Sequence, residues 1–129
     1  MDNIGKVNTM SPLTWAYIGD AVYELYIRNY LIETTNLKPN RLHKETIKFV
    51  KAGAQARILG KLQDILTEEE KEAVRRGRNV QNHHLPKNAA PSDYMYSTAF
   101  EGLIGYLYLS KQEDRLREIL DKVIELTTI

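Results

Sequence analysis

The sequence predicts an all-α fold made of one domain. Apolar residues recur at three- and four-residue spacing in every long segment, and no stretch alternates convincingly between apolar and polar residues as a half-buried strand does. Two segments open with helix-capping patterns, Ser11-Pro12 and Thr67-Glu68-Glu69-Glu70. A chain of 129 residues, 43% of them hydrophobic, suits a single well-packed domain spanning residues 1–129.

The composition excludes several kinds of site and location. There is no cysteine, so a metal ion would be held by oxygen or imidazole. No run approaches about 18 apolar residues, and the N-terminus lacks the apolar region of a signal peptide. We therefore expect a soluble, cytoplasmic protein that does not bind a membrane. The net charge of +1 does not decide nucleic-acid binding, because it hides how the charges are distributed.

The first long helix is predicted to run from the Ser11-Pro12 cap to about Leu31. Its apolar residues fall on two sides, so we expect it to be central in the fold. One side carries Trp15, Ile18, Val22 and Leu25, and the other carries Ala16, Tyr23 and Ile27 around Asp20. The alternative is that Gly19-Asp20 caps a shorter helix. The earlier cap favours placing Asp20 in the helix interior.

The second helix is predicted to begin near Asn40 and to break at Gly53. Its inward residues are Ile47, Val50, Ala54 and Ile58. Its other face carries four cations at 3-4-3 spacing, which aligns them along about 15 Å of helix. These cations are Arg41, Lys44, Lys48 and Lys51. An ordinary solvated face is the alternative to a binding surface.

A third helix is predicted from the Thr67 capping box to Arg75, followed by a loop over residues 75–88 that contains no acid. Loop cations suit phosphate oxygens, and loop amides suit sugars or base edges. We predict a functional loop, with disorder as the alternative. The adjacent His83 and His84 point in different directions and are not expected to bind metal. The candidate RNA contacts here are Arg75, Arg76, Arg78, Asn79 and Lys87.

The fourth helix is predicted from Ser92-Asp93 through Glu101 to about Ser110, and a fifth, from about Gln112 to Leu126, packs through one apolar face. Glu101 and Asp20 are lone acids, each beside a glycine in an apolar stretch. Burial of an ionised carboxylate is unfavourable unless it is paired or binds a cation. We expect Gly19 and Gly102 to let the helices approach, and we predict a divalent metal site at the two acids.

Two segments resemble the ribonuclease III family. The sequence Tyr17-Ile18-Gly19-Asp20-Ala21-Val22 resembles the family's signature helix, and Ala99-Phe100-Glu101-Gly102-Leu103-Ile104-Gly105 resembles its second acidic helix. Arg75-Arg76-Gly77-Arg78-Asn79 and Tyr96-Ser97-Thr98 strengthen the resemblance, which covers nearly the whole chain. It implies a ribonuclease III endonuclease-domain-like helical bundle. It also implies the shortened branch without a double-stranded-RNA-binding domain.

The resemblance further implies a homodimeric endoribonuclease that cleaves double-stranded RNA with Mg²⁺ and leaves 5′-phosphate and 3′-hydroxyl ends. Asp20 and Glu101 match the family's essential acids and would hold the metal and catalyse. By resemblance to the shortened branch, the expected substrate is precursor 23S ribosomal RNA, which implies a role in ribosome biogenesis. A ribosomal protein is a candidate cofactor.

Two other acids of the larger family members are replaced, by Ala16 and Thr98. Their loss leaves open whether one or two metal ions bind. A non-catalytic RNA-binding assembly factor with the same fold is therefore the main alternative function. A helical protein-interaction module would fit the composition but would leave the two acids unexplained. Retention of Asp20 and Glu101 favours the enzyme.

Overall fold

The computed structural model of the chain describes residues 3–80 and 90–127, which contain helices and no strand, as predicted. The helices within these ranges are α1 (Asn3–Asn8), α2 (Pro12–Thr34), α3 (Pro39–Val50), α4 (Ala52–Leu62), a 3₁₀ turn (Gln63–Ile65), α5 (Glu68–Asn79), α6 (Pro91–Leu109) and α7 (Glu113–Thr127). None of the described helices combines the length and the apolar character needed to cross a bilayer.

Helix α2 begins as predicted. The Ser11 hydroxyl accepts a hydrogen bond from the Leu13 backbone N–H at 3.2 Å, and Pro12 occupies the first turn. The helix continues without interruption to Thr34, so Asp20 lies in its interior and the reading of Gly19-Asp20 as an N-cap is wrong.

The buried residues of α2 are Trp15, Ala16, Gly19, Tyr23, Ile27 and Leu31. The predicted side that carries Ala16, Tyr23 and Ile27 is therefore buried, whereas the other predicted side is fully buried only at Trp15. Leu25, which was predicted to face inward, is 62% exposed, and Tyr17 is 82% exposed. The helix packs along α6 on one side and presents apolar side chains to the surface on the other.

Helix α6 occupies the centre of the fold. Nearly every residue from Ser97 to Leu107 is buried, because α2, α4 and α5 all pack against this helix. Its start at Pro91 and its end at Leu109 lie within a residue of the predicted bounds. The apolar residues on all its sides are typical of a buried central helix.

Two glycines allow α2 and α6 to touch backbone to backbone. A Cβ atom on Gly19 would lie 1.8 Å from the Glu101 carbonyl oxygen, and one on Gly105 would lie 1.8 Å from the Trp15 carbonyl oxygen. The predicted role of Gly102 is wrong, because a Cβ there would meet only the Pro12 carbonyl oxygen, at an ordinary 3.8 Å. The predicted close approach exists, and Gly105 is the partner of Gly19.

The chain breaks between α3 and α4 at Lys51, whose φ of −66° and ψ of 151° are extended. This is two residues before the predicted break at Gly53. Consequently, the buried faces of α3 and α4 are set independently, and the apolar spacing does not continue from one helix into the next. Ile47 is 44% exposed, against the prediction, whereas Phe49 and Ile58 are buried.

Helix α5 extends to Asn79, so the prediction that residues 75–79 belong to a loop is wrong. The reason is tertiary packing: Gly77 is buried against α6, and a Cβ atom there would lie 2.9 Å from the Ala99 Cα. The predicted capping box between Thr67 and Glu70 is present. Residues 81–89, including Lys87, His83 and His84, lie outside the described residues.

The last predicted helix is confirmed as α7. It buries Leu116, Ile119, Leu120 and Val123 against the domain, as its apolar spacing indicates. Arg115 at its start donates two hydrogen bonds of 2.8 Å to the buried Glu70 carboxylate. The paired guanidinium holds the pKa of Glu70 below its ordinary value against the effect of burial.

Candidate active site

The α2–α6 contact brings Asp20 and Glu101 together. Asp20 follows Gly19 directly, and Glu101 lies one helical turn before Gly105. Both carboxyl groups line one open cleft, and they are near enough for the charge of Asp20 to raise the pKa of Glu101. The predicted pairing of these two acids is therefore present in the fold.

The two carboxylates differ in environment. Asp20 is exposed, so the expectation that both acids are buried is wrong for Asp20, whereas Glu101 is half-buried. Burial raises the pKa of Glu101 to about 8, with the negative charge of Asp20 as the second cause. Near neutral pH the metal-free site therefore favours a proton on Glu101 over two adjacent negative charges.

Gln55 on α4 is a site residue that the sequence analysis missed. Its side chain is 1% exposed, and its amide Nε2 lies 3.4 Å from Oε2 of Glu101 and 3.1 Å from the Val50 carbonyl oxygen. The hydrogen bond from Gln55 lowers the pKa of Glu101, and so opposes burial and the charge of Asp20, which raise it. The feature of the sequence that could have revealed Gln55 is a polar residue one helical turn before the apolar Leu59, on the face of α4 that is buried.

The donor atoms at this place fit a hard divalent cation. Two carboxylates supply oxygen ligands, which Mg²⁺ prefers, and a cation between them would remove their mutual repulsion. No cluster of three or more acidic, histidine or cysteine side chains suited to a metal occurs in residues 3–80 and 90–127. Ala16 and Thr98 line the same cleft, so the two replaced acids are missing from the site itself. Water would have to complete the coordination of an ion here.

The predicted basic stripe on α3 lies at the surface. Arg41, Lys44 and Lys48 are exposed on the helix, and Lys51 is exposed at the break that follows it. Lys48 forms an ion pair of 2.9 Å with Glu45, three residues earlier. Arg41, Lys44 and Lys48 keep their helical spacing, whereas Lys51 lies in extended backbone after the last turn, so the predicted alignment holds for three of the four cations.

The basic residues of α5 have unequal surroundings. Arg75 pairs with Glu72, and Arg78 lies beside Asn79. Arg76 instead donates hydrogen bonds to the carbonyl oxygens of Asn8 and Met10, at 3.0 and 3.3 Å, and its guanidinium lies 4.6 Å from the centre of the Trp15 ring. Its charge is already used to hold the N-terminal segment against the domain.

Known proteins resemble this chain over most of its length. The family model described as "Ribonuclease III domain" matches residues 13–112. Mini-ribonuclease 3 from Thermoanaerobacter sp. is 49% identical, covering 92% of this chain and 84% of the relative. Mini-ribonuclease 3 from Staphylococcus aureus is 42% identical, covering 96% of each. A crystal structure of a Fusobacterium nucleatum protein superposes with a TM-score of 0.81 at 32% identity, covering 91% of this chain and 93% of that one.

The helical fold and the facing acid pair, together with these matches, define a ribonuclease III domain. The chain belongs to the ribonuclease III family, and within it to the Mini-ribonuclease 3 group. It is therefore an endoribonuclease. Family membership implies double-stranded RNA as the substrate class and dependence on a divalent metal. The resemblance seen in the sequence is confirmed.

The raised pKa of Glu101 predicts how metal-free stability depends on pH. Between about pH 4.5 and pH 8 the folded chain keeps a proton that the unfolded chain releases, so Glu101 lowers the free energy of unfolding progressively as pH rises. Each pKa unit corresponds to about 1.4 kcal/mol. Glu101→Gln should therefore gain stability over the wild type increasingly across this range. Urea unfolding in EDTA at several pH values measures the difference.

Glu33→Gln is the control, since Glu33 is an exposed acid on the same helix as Asp20. The difference in the free energy of unfolding between Glu33→Gln and the wild type should stay nearly constant over this pH range. If the stability difference between Glu101→Gln and the wild type were also constant with pH, the Glu101 carboxyl group would have an ordinary pKa in the folded chain. The unfavourable placement of Glu101 beside Asp20 would then be wrong.

Proposed function

We propose that this chain is a Mg²⁺-dependent endoribonuclease that cleaves double-stranded RNA and matures the ends of precursor 23S ribosomal RNA in the cytoplasm. Asp20 and Glu101 are the proposed catalytic, metal-holding residues. The observation that supports this most strongly is their convergence at the α2–α6 contact, in one open cleft.

Each residue of the site has a part in the proposed chemistry. Asp20, exposed at the cleft, would hold the cation from the solvent side, and the half-buried Glu101 would hold it from the protein side. When bound, Mg²⁺ supplies a Lewis acid that lowers the pKa of a water and stabilises charge on phosphate oxygens. Gly19 and Gly105 fix the separation of the two acid-bearing backbones. The water would lose a proton and form a new bond to phosphorus as the bond to the 3′ oxygen breaks, and that oxygen would take up a proton, which gives 5′-phosphate and 3′-hydroxyl ends.

Exposed cations form the proposed RNA surface. Duplex RNA is recognised mainly through its shape and its backbone, because its base edges lie in a deep, narrow groove. A row of exposed cations with an acid-free segment beyond α5 suits that backbone. Arg76 is left out, since its guanidinium binds the N-terminal segment. The proposed contacts are Arg41, Lys44, Lys48, Lys51, Arg75, Arg78, Asn79 and Lys87.

A second copy of the chain is the proposed occupant of the exposed apolar side of α2. Tyr17, Leu25 and Ile32 are 82%, 62% and 63% exposed, and Ala21 lies between the first two on the same side. Contiguous exposed apolar residues of this kind mark a protein interface. A two-fold dimer would supply two acid pairs, one for each strand of a duplex, and would double the basic surface.

Replacement of the family's other acids by Ala16 and Thr98 removes two possible carboxylate ligands from the cleft. The alternative weighed from the sequence, a non-catalytic ribosome-assembly factor, is not retained, because the chain belongs to a group of endoribonucleases. A ribosomal protein is the proposed cofactor for cleavage.

Asp20→Asn and Glu101→Gln should each lose most of the cleavage rate, roughly 100-fold, because an amide keeps the shape and loses the charge that holds the ion. Duplex affinity should stay near the wild-type value, and neither variant should melt below the wild type, since Glu101→Gln is expected to gain stability without metal. The measurement is mapped cleavage of long double-stranded RNA with Mg²⁺ or EDTA, with Glu33→Gln as a control that keeps its rate. A variant that cuts normally would remove that residue from the site. A wild type that binds RNA without cutting it would contradict the proposed cleavage.

Light scattering at micromolar concentration should give twice the mass of one 129-residue chain. Leu25→Arg should shift the mass towards one chain, because a charge would then have to be buried in the proposed interface. The matched control is Ile65→Arg, which places the same charge at an apolar residue 38% exposed on the 3₁₀ turn. A wild-type monomer that cuts both strands together would overturn the dimer.

Lys48→Ala should weaken binding to every duplex sequence alike and reduce the slope of log affinity against log salt by about 1, since one phosphate contact is lost. Lys71→Ala is the matched control: Lys71 is also an exposed helical lysine paired with a glutamate three residues earlier. Titrations with two duplexes at several salt concentrations measure both. If the two variants changed duplex affinity and the salt slope equally, the cations on α3 would form an ordinary solvated face.

A further inference from the structure

Gln55 lies behind Glu101 at the junction of three helices. It belongs to α4, its amide Nε2 reaches the Glu101 carboxylate on α6, and the same nitrogen reaches the carbonyl oxygen of Val50, the last residue of α3. Both neighbouring atoms are hydrogen-bond acceptors. The amide must therefore present its N–H₂ side to them, which fixes its orientation.

Packing alone does not explain a glutamine at this position. Its side chain is 1% exposed, and its Oε1 is buried with no hydrogen-bond partner in the described part of the chain. Burial of an unpaired amide oxygen is unfavourable, and a methionine of similar length would fill the space without it. The polar group is retained at a position where an apolar side chain would pack better.

We infer that Gln55 is a positioning residue for Glu101. Its two N–H groups can tie one carboxylate oxygen of Glu101 to the end of α3, which leaves the other oxygen to face Asp20 across the cleft. This fixes the rotamer from which Glu101 holds a divalent cation. Hydrogen-bonding partners of metal ligands commonly set ligand orientation in this way. The inference rests on the proposed role of Glu101 in holding the metal.

Val50 gives this arrangement a second consequence. It immediately precedes the break at Lys51, and Arg41, Lys44 and Lys48 of the basic stripe lie on the helix that Val50 ends. One amide therefore contacts both the helix proposed to bind RNA and the acid proposed to hold the metal. Loss of the amide would free the Glu101 side chain without removing any phosphate contact.

Gln55→Met tests the inference, because it keeps the side-chain length and removes both N–H donors. The expected result is a roughly 10-fold fall in kcat, an unchanged KM for duplex RNA and a roughly 10-fold rise in the Mg²⁺ concentration at half-maximal rate. Mn²⁺ affinity, measured without RNA by electron paramagnetic resonance, should fall by a similar factor. The melting temperature should stay constant or rise, since an unpaired buried oxygen is removed.

Gln63→Met is the matched control, since Gln63 also donates its amide to a backbone carbonyl oxygen, that of Leu59 at 3.1 Å. It should leave the Mn²⁺ affinity unchanged. If Gln55→Met changed only the melting temperature and kept wild-type Mn²⁺ affinity and Mg²⁺ requirement, Gln55 would be structural and the inference overturned. Gln55→Leu provides the same measurements should the methionine variant not fold.

Glu101→Gln separates failure of this inference from failure of the proposed function. If Glu101→Gln abolishes Mn²⁺ binding while Gln55→Met leaves it intact, the metal site stands and the positioning role is wrong. If Glu101→Gln leaves Mn²⁺ binding intact, Glu101 does not hold the ion, and both the site and the positioning role are wrong. A further loss in Gln55→Met when Glu101 is already Gln would also contradict action through Glu101.

Discussion

The backbone contact between α2 and α6 is the constraint on which the rest of the structure depends. At Gly19 and Gly105 the two helices approach until any side chain would overlap a carbonyl oxygen of the other helix. Because each acid lies within one turn of its glycine, the same contact that packs the core also sets the distance between the carboxylates. On a neighbouring face of α6, Gly77 brings α5 close to Ala99 in the same way. Small residues on three helices thus determine the position of the site.

The acid pair makes the metal-free domain less stable than an apolar pair would. Glu101 is partly desolvated beside a like charge, which raises its pKa, and the neighbouring Gln55 buries an amide oxygen without a partner. These unfavourable terms lie within one small region, whereas the rest of the core consists of well-packed apolar residues. Concentration of strain at one place is typical of a functional site, and a bound cation would relieve much of it.

The basic residues show that position along the chain does not define a role. Arg76 and its neighbours look alike in the sequence, yet its guanidinium holds the carbonyl oxygens that follow α1 and covers the Trp15 ring, while Trp15 itself donates to the Val7 carbonyl oxygen. Arg115 similarly binds the buried Glu70. A charge held by backbone or buried partners in this way is not available for other contacts, whereas Arg41, Lys44 and Lys48 on α3 are exposed and Lys48 pairs with Glu45 on the same helix.

The sequence by itself determined the all-α class and the main helices, because caps and apolar spacing act within a few residues along the chain. The segments around Asp20 and Glu101 resemble the ribonuclease III family, and the matches with known proteins confirm that family. The tertiary structure alone decided which surfaces are buried. It showed that Asp20 is exposed, that Gly105 rather than Gly102 meets Gly19, and that Gln55 contacts Glu101. It also extended α5 to Asn79, into the beginning of the segment predicted to be a loop. The physical reason is that local hydrogen bonds form a helix, whereas burial depends on contacts with segments that are distant in the chain.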